Sequence, residues 1–180
     1  VILSGLFSLV LIFFTGLPPK DMWGFAVISM MLEAIYFILL CIAYSDHDFS
    51  LVYPIARGAA PALLVLWSAI FLREQLTAGG YIGLAMITGG MIVIGATTLL
   101  NNKSEKPHLR GILTALSVAL IISIYTFIDG TAVKSGPALP YGLSMFVMVP
   151  FVTTPYIARR YGWSHFADMW KKKRGYLLLG

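Results

Sequence analysis

Apolar residues fall into six long runs, and each run is separated from the next by a short polar or proline-containing break. At about 1.5 Å per residue of helix, runs of this length suffice to cross a hydrocarbon layer of about 30 Å. The pattern therefore predicts six membrane-spanning helices, with a seventh beginning at Tyr176. The predicted spans are residues 1–16, 23–43, 49–72, 79–95, 109–133 and 141–157.

The breaks contain residues that end helices or favour turns. Two consecutive prolines, Pro18 and Pro19, close the first run, and Ser135-Gly136-Pro137 turns the chain after the fifth. Residues 101–109 form the longest hydrophilic break, so they are the predicted boundary between two units, 1–100 and 110–180. Both ends of the chain lie inside apolar runs, and we therefore expect a fragment of a longer protein.

Composition supports the same class of protein. Hydrophobic residues make up 58% of the chain and charged residues 12%, whereas soluble domains carry roughly 25% charged residues. The mean hydropathy is +0.83. The net charge of +5 comes from basic residues in the breaks, which is typical of orientation in a bilayer and argues against nucleic-acid binding. Cys41 is the single cysteine, so there is no disulfide framework, and we expect it to be a buried packing residue.

One arginine lies deep inside a predicted span. Arg57 is a few residues short of the middle of the third run, where a guanidinium group costs about 2.5–3.5 kcal/mol on insertion scales. It should therefore face a protein interior or a watery cavity and meet a partner. Pro54 and Pro61 flank it, and each leaves a backbone carbonyl without its helical donor at the depth where a solute could use it.

Two pairs of polar residues are the other candidates for a site. Glu33 lies at the centre of the second span with Tyr36 on much the same face, and its depth along the helix is within about one turn of that of Arg57. We expect Glu33 and Arg57 to face one central cavity, either as an ion pair or with Arg57 offered to an anionic solute group. Tyr125 and Asp129 share a face of the fifth span, although Asp129 is close enough to its end for headgroup-level solvation to compete.

The third and fourth spans resemble a known repeat. In Arg57 followed by small residues and Pro61, a glutamate at the turn and then a glycine-rich helix, the chain is similar to the fourth and fifth helices of the EamA-type repeat of the drug/metabolite transporter superfamily. The family usually has glycine where Arg73 stands. The quoted segments are Phe71-Leu72-Arg73-Glu74-Gln75-Leu76, Gly79-Gly80-Tyr81-Ile82-Gly83 and Gly89-Gly90.

The resemblance implies an all-α polytopic membrane protein, part of a ten-helix transporter built from two inverted five-helix repeats. Residues 1–100 would then be helices two to five of the first repeat, residues 101–109 the linker, and residues 110–180 helices one and two and the start of three of the second. The implied function is secondary transport of small metabolites, such as amino acids or drugs, by alternating access in the plasma or inner membrane. The substrate would meet Glu33, Tyr36, Arg57, Tyr125 and Asp129.

Orientation is left open by two conflicting arguments. Three basic residues fall on one side of the membrane and nine on the other, so the positive-inside rule places the 101–109 linker in the cytoplasm, whereas the family pattern implies the reverse. Residues 163–170 repeat aromatic positions at helical spacing, and we expect this segment to lie flat at the lipid headgroups. The glycines at 79, 83 and 89 predict close helix packing within one subunit, with homodimerisation as the alternative.

Other kinds of chemistry find little support. No cluster of metal ligands, phosphate-binding loop or Ser/His/Asp grouping is present, so we expect no cofactor, no metal and no enzyme activity. The partners would be the bilayer and a small-molecule substrate. Two alternatives remain: a membrane enzyme acting on lipid-linked substrates, which would use the basic 159–174 segment, and a scaffold without transport activity.

Overall fold

The described chain is all-helical. The structure is a computed structural model and describes residues 2–46, 49–73, 75–101 and 109–162, with no strand in these ranges. A short 3₁₀ turn, Lys20–Met22, precedes the second helix, and one turn of π-helix, Ser68–Leu72, extends the third. The six α-helices are α1 (Ile2–Thr15), α2 (Trp23–Asp46), α3 (Phe49–Trp67), α4 (Ala78–Asn101), α5 (Leu109–Ser135) and α6 (Ala138–Tyr161).

Each predicted span coincides with one of these helices, so the helical class is confirmed. Four helices are long and apolar enough to cross a membrane, and in their most apolar stretches no more than 39% of the residues are buried inside the protein. A water-soluble bundle would cover such faces, because large exposed apolar patches are rare on soluble monomers. In the described part of the chain, the apolar stretches of α1 and α4 are shorter, Leu3–Thr15 and Ala78–Ile94.

Helix α5 is the centre of the bundle. Both α2 and α3 pack extensively on α5 and touch each other only slightly. Helix α1 packs on α6, α6 also contacts α2, and α4 lies on the far side of α3. Neighbours in sequence are therefore mostly not the main neighbours in space, and α5 separates the two helices that carry Glu33 and Arg57.

The buried core consists largely of small residues and methionines. One cluster aligns Met22 of the 3₁₀ turn and Ala26 and Met30 of α2 with Tyr141, Met145 and Val149 of α6, so the same four-residue spacing runs along both segments. The other buried positions between α2, α3 and α5 are mostly alanine and valine. Small side chains allow helix backbones to approach closely, which is how helices associate where lipid removes the hydrophobic driving force.

Two glycines mark the closest helix approaches. A Cβ on Gly58 of α3 would lie 2.6 Å from the Cβ of Met91 of α4, and one on Gly5 of α1 would lie 2.9 Å from the carbonyl oxygen of Phe146 of α6. That carbonyl has lost its helical donor because Pro150 has no N–H. Gly5 thus brings α1 against a backbone group that α6 itself cannot satisfy.

Helix α3 ends on an arginine in a conformation that glycine usually takes. Arg73 has φ 53° and ψ 26°, and its N–H donates to the carbonyl of Ser68. Gly16 and Gly162 follow the ends of α1 and α6 with φ of 80°, and their N–H groups donate to the carbonyls of Ile12 and Ala158, four residues earlier. Arg73 therefore takes the left-handed conformation in which glycine is usual at the end of a helix.

Two expectations about packing are wrong for the described residues. Added Cβ atoms at Gly79, Gly83 and Gly89 would meet nothing within 4 Å, so these glycines do not pack against another helix here, and α3 meets α4 through Gly58 and Met91 instead. Homodimerisation through this face stays a prediction. Cys41 is exposed on the outer face of α2, whereas we expected it to be buried.

Some predictions fall outside the described residues. These are the conformation of most of the 101–109 linker, the flat segment at 163–170, Glu74 of the turn and the seventh span beginning at Tyr176.

Replacing Gly58 by alanine should destabilise the protein, because the new methyl group would overlap the Cβ of Met91. That atom is bonded directly to the backbone and cannot move away by a change of rotamer. We expect a loss of about 1–3 kcal/mol, the usual cost of overpacking. Gly24→Ala is the matched control in open space and should gain up to about 1 kcal/mol from helix propensity. Unfolding midpoints in mixed micelles measure both, and equal shifts would contradict the close approach.

Arg73→Gly should stabilise the end of α3 by roughly 0.5–1 kcal/mol, since it relieves a left-handed conformation that costs a side-chain-bearing residue about 1–2 kcal/mol. Arg159→Gly removes the same charge from the last turn of α6, where the backbone is helical, and should have the opposite sign. The measurement is again the unfolding midpoint. A destabilised Arg73→Gly protein would show that the cap is not left-handed.

Candidate functional site

A row of polar side chains lies between α2 and α5 inside the apolar bundle. We call it the polar ladder and define it as Ser29, Glu33 and Tyr36 of α2 with Tyr125 and Asp129 of α5. Ser29 and Glu33 are four residues apart, as are Tyr125 and Asp129, so each pair follows one face of its helix. Because α2 packs directly on α5, the two faces meet.

Asp129 is tied to a third helix. The Tyr141 hydroxyl of α6 donates to Oδ1 of Asp129 at 2.7 Å. The completely buried Ser29 hydroxyl lies against the same carboxyl group, near enough to stabilise a charge on it, but its oxygen does not meet the geometry of a hydrogen bond with any described group. Asp129 is therefore a partly buried carboxyl group held inside the protein and not a solvated one at its surface.

Glu33 lies close enough to Asp129 for their charges to interact. The depths of the two residues agree with this, because Met22, just before α2, contacts Gly136 just after α5. Counting from that contact, Asp129 lies about 10 Å along α5 and Glu33 about 16 Å along α2. No described residue donates a hydrogen bond to Glu33. The ladder therefore contains two carboxyl groups, Asp129 with a hydrogen-bond donor and Glu33 without one.

The end of the ladder farthest from Ser29 consists of two aromatic residues, Tyr36 and Tyr125. Tyr36 is 7% exposed, and its ring centroid lies 6.0 Å from that of Tyr125 at an interplanar angle of 55°. Tilted rings at this distance are in the favourable range for aromatic pairs. Both hydroxyl groups lie within reach of the charges of Glu33 and Arg57.

Arg57 approaches this end from α3. Its guanidinium carbon lies 5.8 Å from the centroid of the Tyr53 ring, one turn earlier on the same helix, which is a cation–π distance. The side chain is exposed and forms no ion pair with a carboxylate in the described ranges. Of the two arrangements that the sequence allowed, the ion pair with Glu33 is not formed, because α5 stands between α2 and α3.

An aromatic group extends the site along α3 and α5. The Trp67 indole Nε1 donates to the Ser123 hydroxyl at 3.0 Å, and that hydroxyl donates in turn to the carbonyl of Leu120 at 2.8 Å. The Phe71 ring lies 6.2 Å from Trp67 and 5.8 Å from Phe127. Polar groups at this contact are paired, and the remaining surface is aromatic.

All five residues predicted from the sequence lie in this region. Glu33, Tyr36, Tyr125 and Asp129 form the ladder, and Arg57 flanks its aromatic end. Sequence reasoning missed Ser29, Tyr53 and Tyr141. Ser29 and Tyr53 could have been found, since each lies four residues before a predicted site residue, but Tyr141 depends on how α6 packs.

The ladder offers carboxylate, hydroxyl, guanidinium and aromatic groups, and such a set can bind charged or aromatic parts of a small molecule. No group of three or more His, Cys, Asp or Glu side chains that could hold a metal ion occurs among the residues with described positions. Comparison with protein-family models, with curated proteins and with solved structures finds no match for this chain.

Tyr141→Phe should destabilise the protein by about 1.5–3 kcal/mol, the usual range for a hydrogen bond to a charged group. The reason is that the variant leaves the Asp129 carboxyl group with only Ser29 beside it. Tyr81→Phe on the exposed face of α4 is the control and should change the unfolding free energy by less than about 0.5 kcal/mol. Equal effects of the two variants would show that the Tyr141 bond contributes nothing.

Proposed function

We propose that this chain is part of a secondary transporter that moves a small organic solute across the plasma or inner membrane. The observation that carries the proposal is the pair of carboxyl groups, Glu33 and Asp129, between α2 and α5 in a bundle of long apolar helices, with the exposed Arg57 of α3 at the aromatic end of the same site. Charged groups at such depth are costly and usually mark a pathway for ions or solutes.

The resemblance to the EamA-type repeat supports the same proposal. It supplies the architecture, two inverted five-helix repeats, of which this chain would hold helices two to five of the first and the start of the second. Transporters of this kind bind their substrate near the middle of the membrane, between the repeats. The polar ladder would then line one wall of a central cavity.

The groups of the site suggest how a solute is held. Arg57 is exposed and has no ion pair with a described carboxylate, so its guanidinium can accept an anionic group such as a carboxylate. Tyr53, Tyr36 and Tyr125 offer ring faces beside it. The ladder carboxyl groups lie about one helical turn from Tyr36 and Tyr125 along α2 and α5, and they can bind a cationic or hydrogen-bond-donating part of the solute.

The direct test is flux into proteoliposomes that contain the full-length protein, using a panel of radiolabelled amino acids, small amines and small carboxylates. At least one compound should accumulate above protein-free vesicles. Arg57→Leu should reduce that flux roughly 10–100-fold, as expected when a charge-assisted contact is lost, while the variant still inserts into the membrane.

The matched control is Arg110→Leu, which removes an exposed arginine from the start of α5 and should leave flux unchanged. If the protein is a scaffold without transport activity, no compound of the panel should show flux. Normal flux in the Arg57→Leu protein would show that Arg57 does not contact the transported solute. Either result would contradict the proposal as stated.

A further inference from the structure

We propose that Glu33 and Asp129 form a binding site for a single proton, shared between α2 and α5 and held in place by Tyr141 of α6. The site goes beyond the proposed transport function, because it follows from the ladder itself and would exist whatever solute is moved. It assigns a second ligand, a proton, to the two carboxyl groups that the proposed solute contacts also use.

The first argument is the balance of charge. The charged and titratable groups that face the ladder from the four helices around it are two carboxyl groups, one guanidinium group and four tyrosine hydroxyls. They belong to Glu33 and Tyr36 of α2, Arg57 and Tyr53 of α3, Tyr125 and Asp129 of α5, and Tyr141 of α6. With both carboxyl groups ionised this region carries a net negative charge, and one bound proton makes it neutral, which a bundle surrounded by lipid favours.

The second argument is the buried Ser29 hydroxyl. Ser29 is 0% exposed, and its oxygen has no hydrogen-bond partner among the described residues although it lies against Asp129. Buried polar atoms without a partner are rare, and each calls for an explanation. The hydroxyls of Ser144 and Thr153, which are also buried, donate to a carbonyl one turn earlier, whereas Thr88 of α4 shares with Ser29 the lack of a partner among the described residues. Ser29 thus places a hydroxyl beside the Asp129 carboxyl group, and a hydroxyl can accept from a protonated acid or donate to an ionised one.

The third argument decides which carboxyl group takes the proton. Asp129 has the Tyr141 donor at 2.7 Å and the Ser29 hydroxyl beside it, and both stabilise an ionised carboxylate. Glu33 has no such donor among the described residues. Binding therefore forms an O–H bond on Glu33 with a proton taken from water, and it removes one of two like charges that repel each other.

Infrared difference spectra during a pH titration of the full-length protein in lipid nanodiscs provide the test, because a protonated carboxylic acid has a C=O stretch distinct from that of a carboxylate. We expect this band at neutral pH in the wild type and its loss in Glu33→Gln. Asp129→Asn removes the second charge and should make the proton leave at least tenfold more readily, a shift of one pH unit or more.

Asp21→Asn is the matched control, since its carboxyl group lies in the exposed turn before α2, and it should leave the band unchanged. Tyr141→Phe provides a milder variant that should move the titration to higher pH, because Asp129 then holds its charge less well. A wild-type spectrum without the band, a band that persists in Glu33→Gln, or one displaced at constant pH by NaCl but not by choline chloride would overturn the proposal.

The spectra keep this proposal separate from transport. If the C=O band behaves as expected but no solute is transported, the proton site is supported and the proposed transport function is contradicted. If solute is transported but the band is absent, only the proposed proton site is contradicted.

Discussion

A charged side chain between apolar helices must meet another polar group, because neither lipid nor alkyl side chains can solvate it. In this protein the constraint acts on α5, which carries Asp129 and Tyr125 and contacts both α2 and α3. Tyr141 satisfies Asp129 from α6, and Glu33 approaches the same group from α2. The positions of α2 and α6 on α5 are thus tied to the surroundings of one aspartate.

The lengths and order of the helices could be predicted from the sequence, because a membrane-spanning helix satisfies its own backbone and is recognised by its apolar length alone. For example, the predicted span 109–133 became α5, Leu109–Ser135. The clustering of the polar residues was also predictable, since a glutamate or an arginine at mid-span has few stable surroundings other than a polar interior.

The neighbours of each residue could not be predicted in the same way. Placing Glu33 beside Arg57 assumed that consecutive helices lie side by side, and this assumption failed because α5, which begins more than 40 residues after the end of α3, packs between them. The prediction that Cys41 is buried failed for a related reason. An apolar run does not show which face of its helix packs against protein, because the face that contacts lipid is just as apolar. Which helices pack together depends on how their surfaces fit, as at the contact of Gly58 with Met91, and hydropathy does not record this fit.

The contact of α1 with α6 has a consequence for biosynthesis. The two helices are separated by more than 120 residues, and α6 is the helix on which α1 packs extensively. At a synthesis rate of about 5–20 residues per second, α1 would be made roughly 6–25 seconds before its partner. During that interval Gly5 lacks the helix that covers it, so the packing of α1 has to wait for the synthesis of α6.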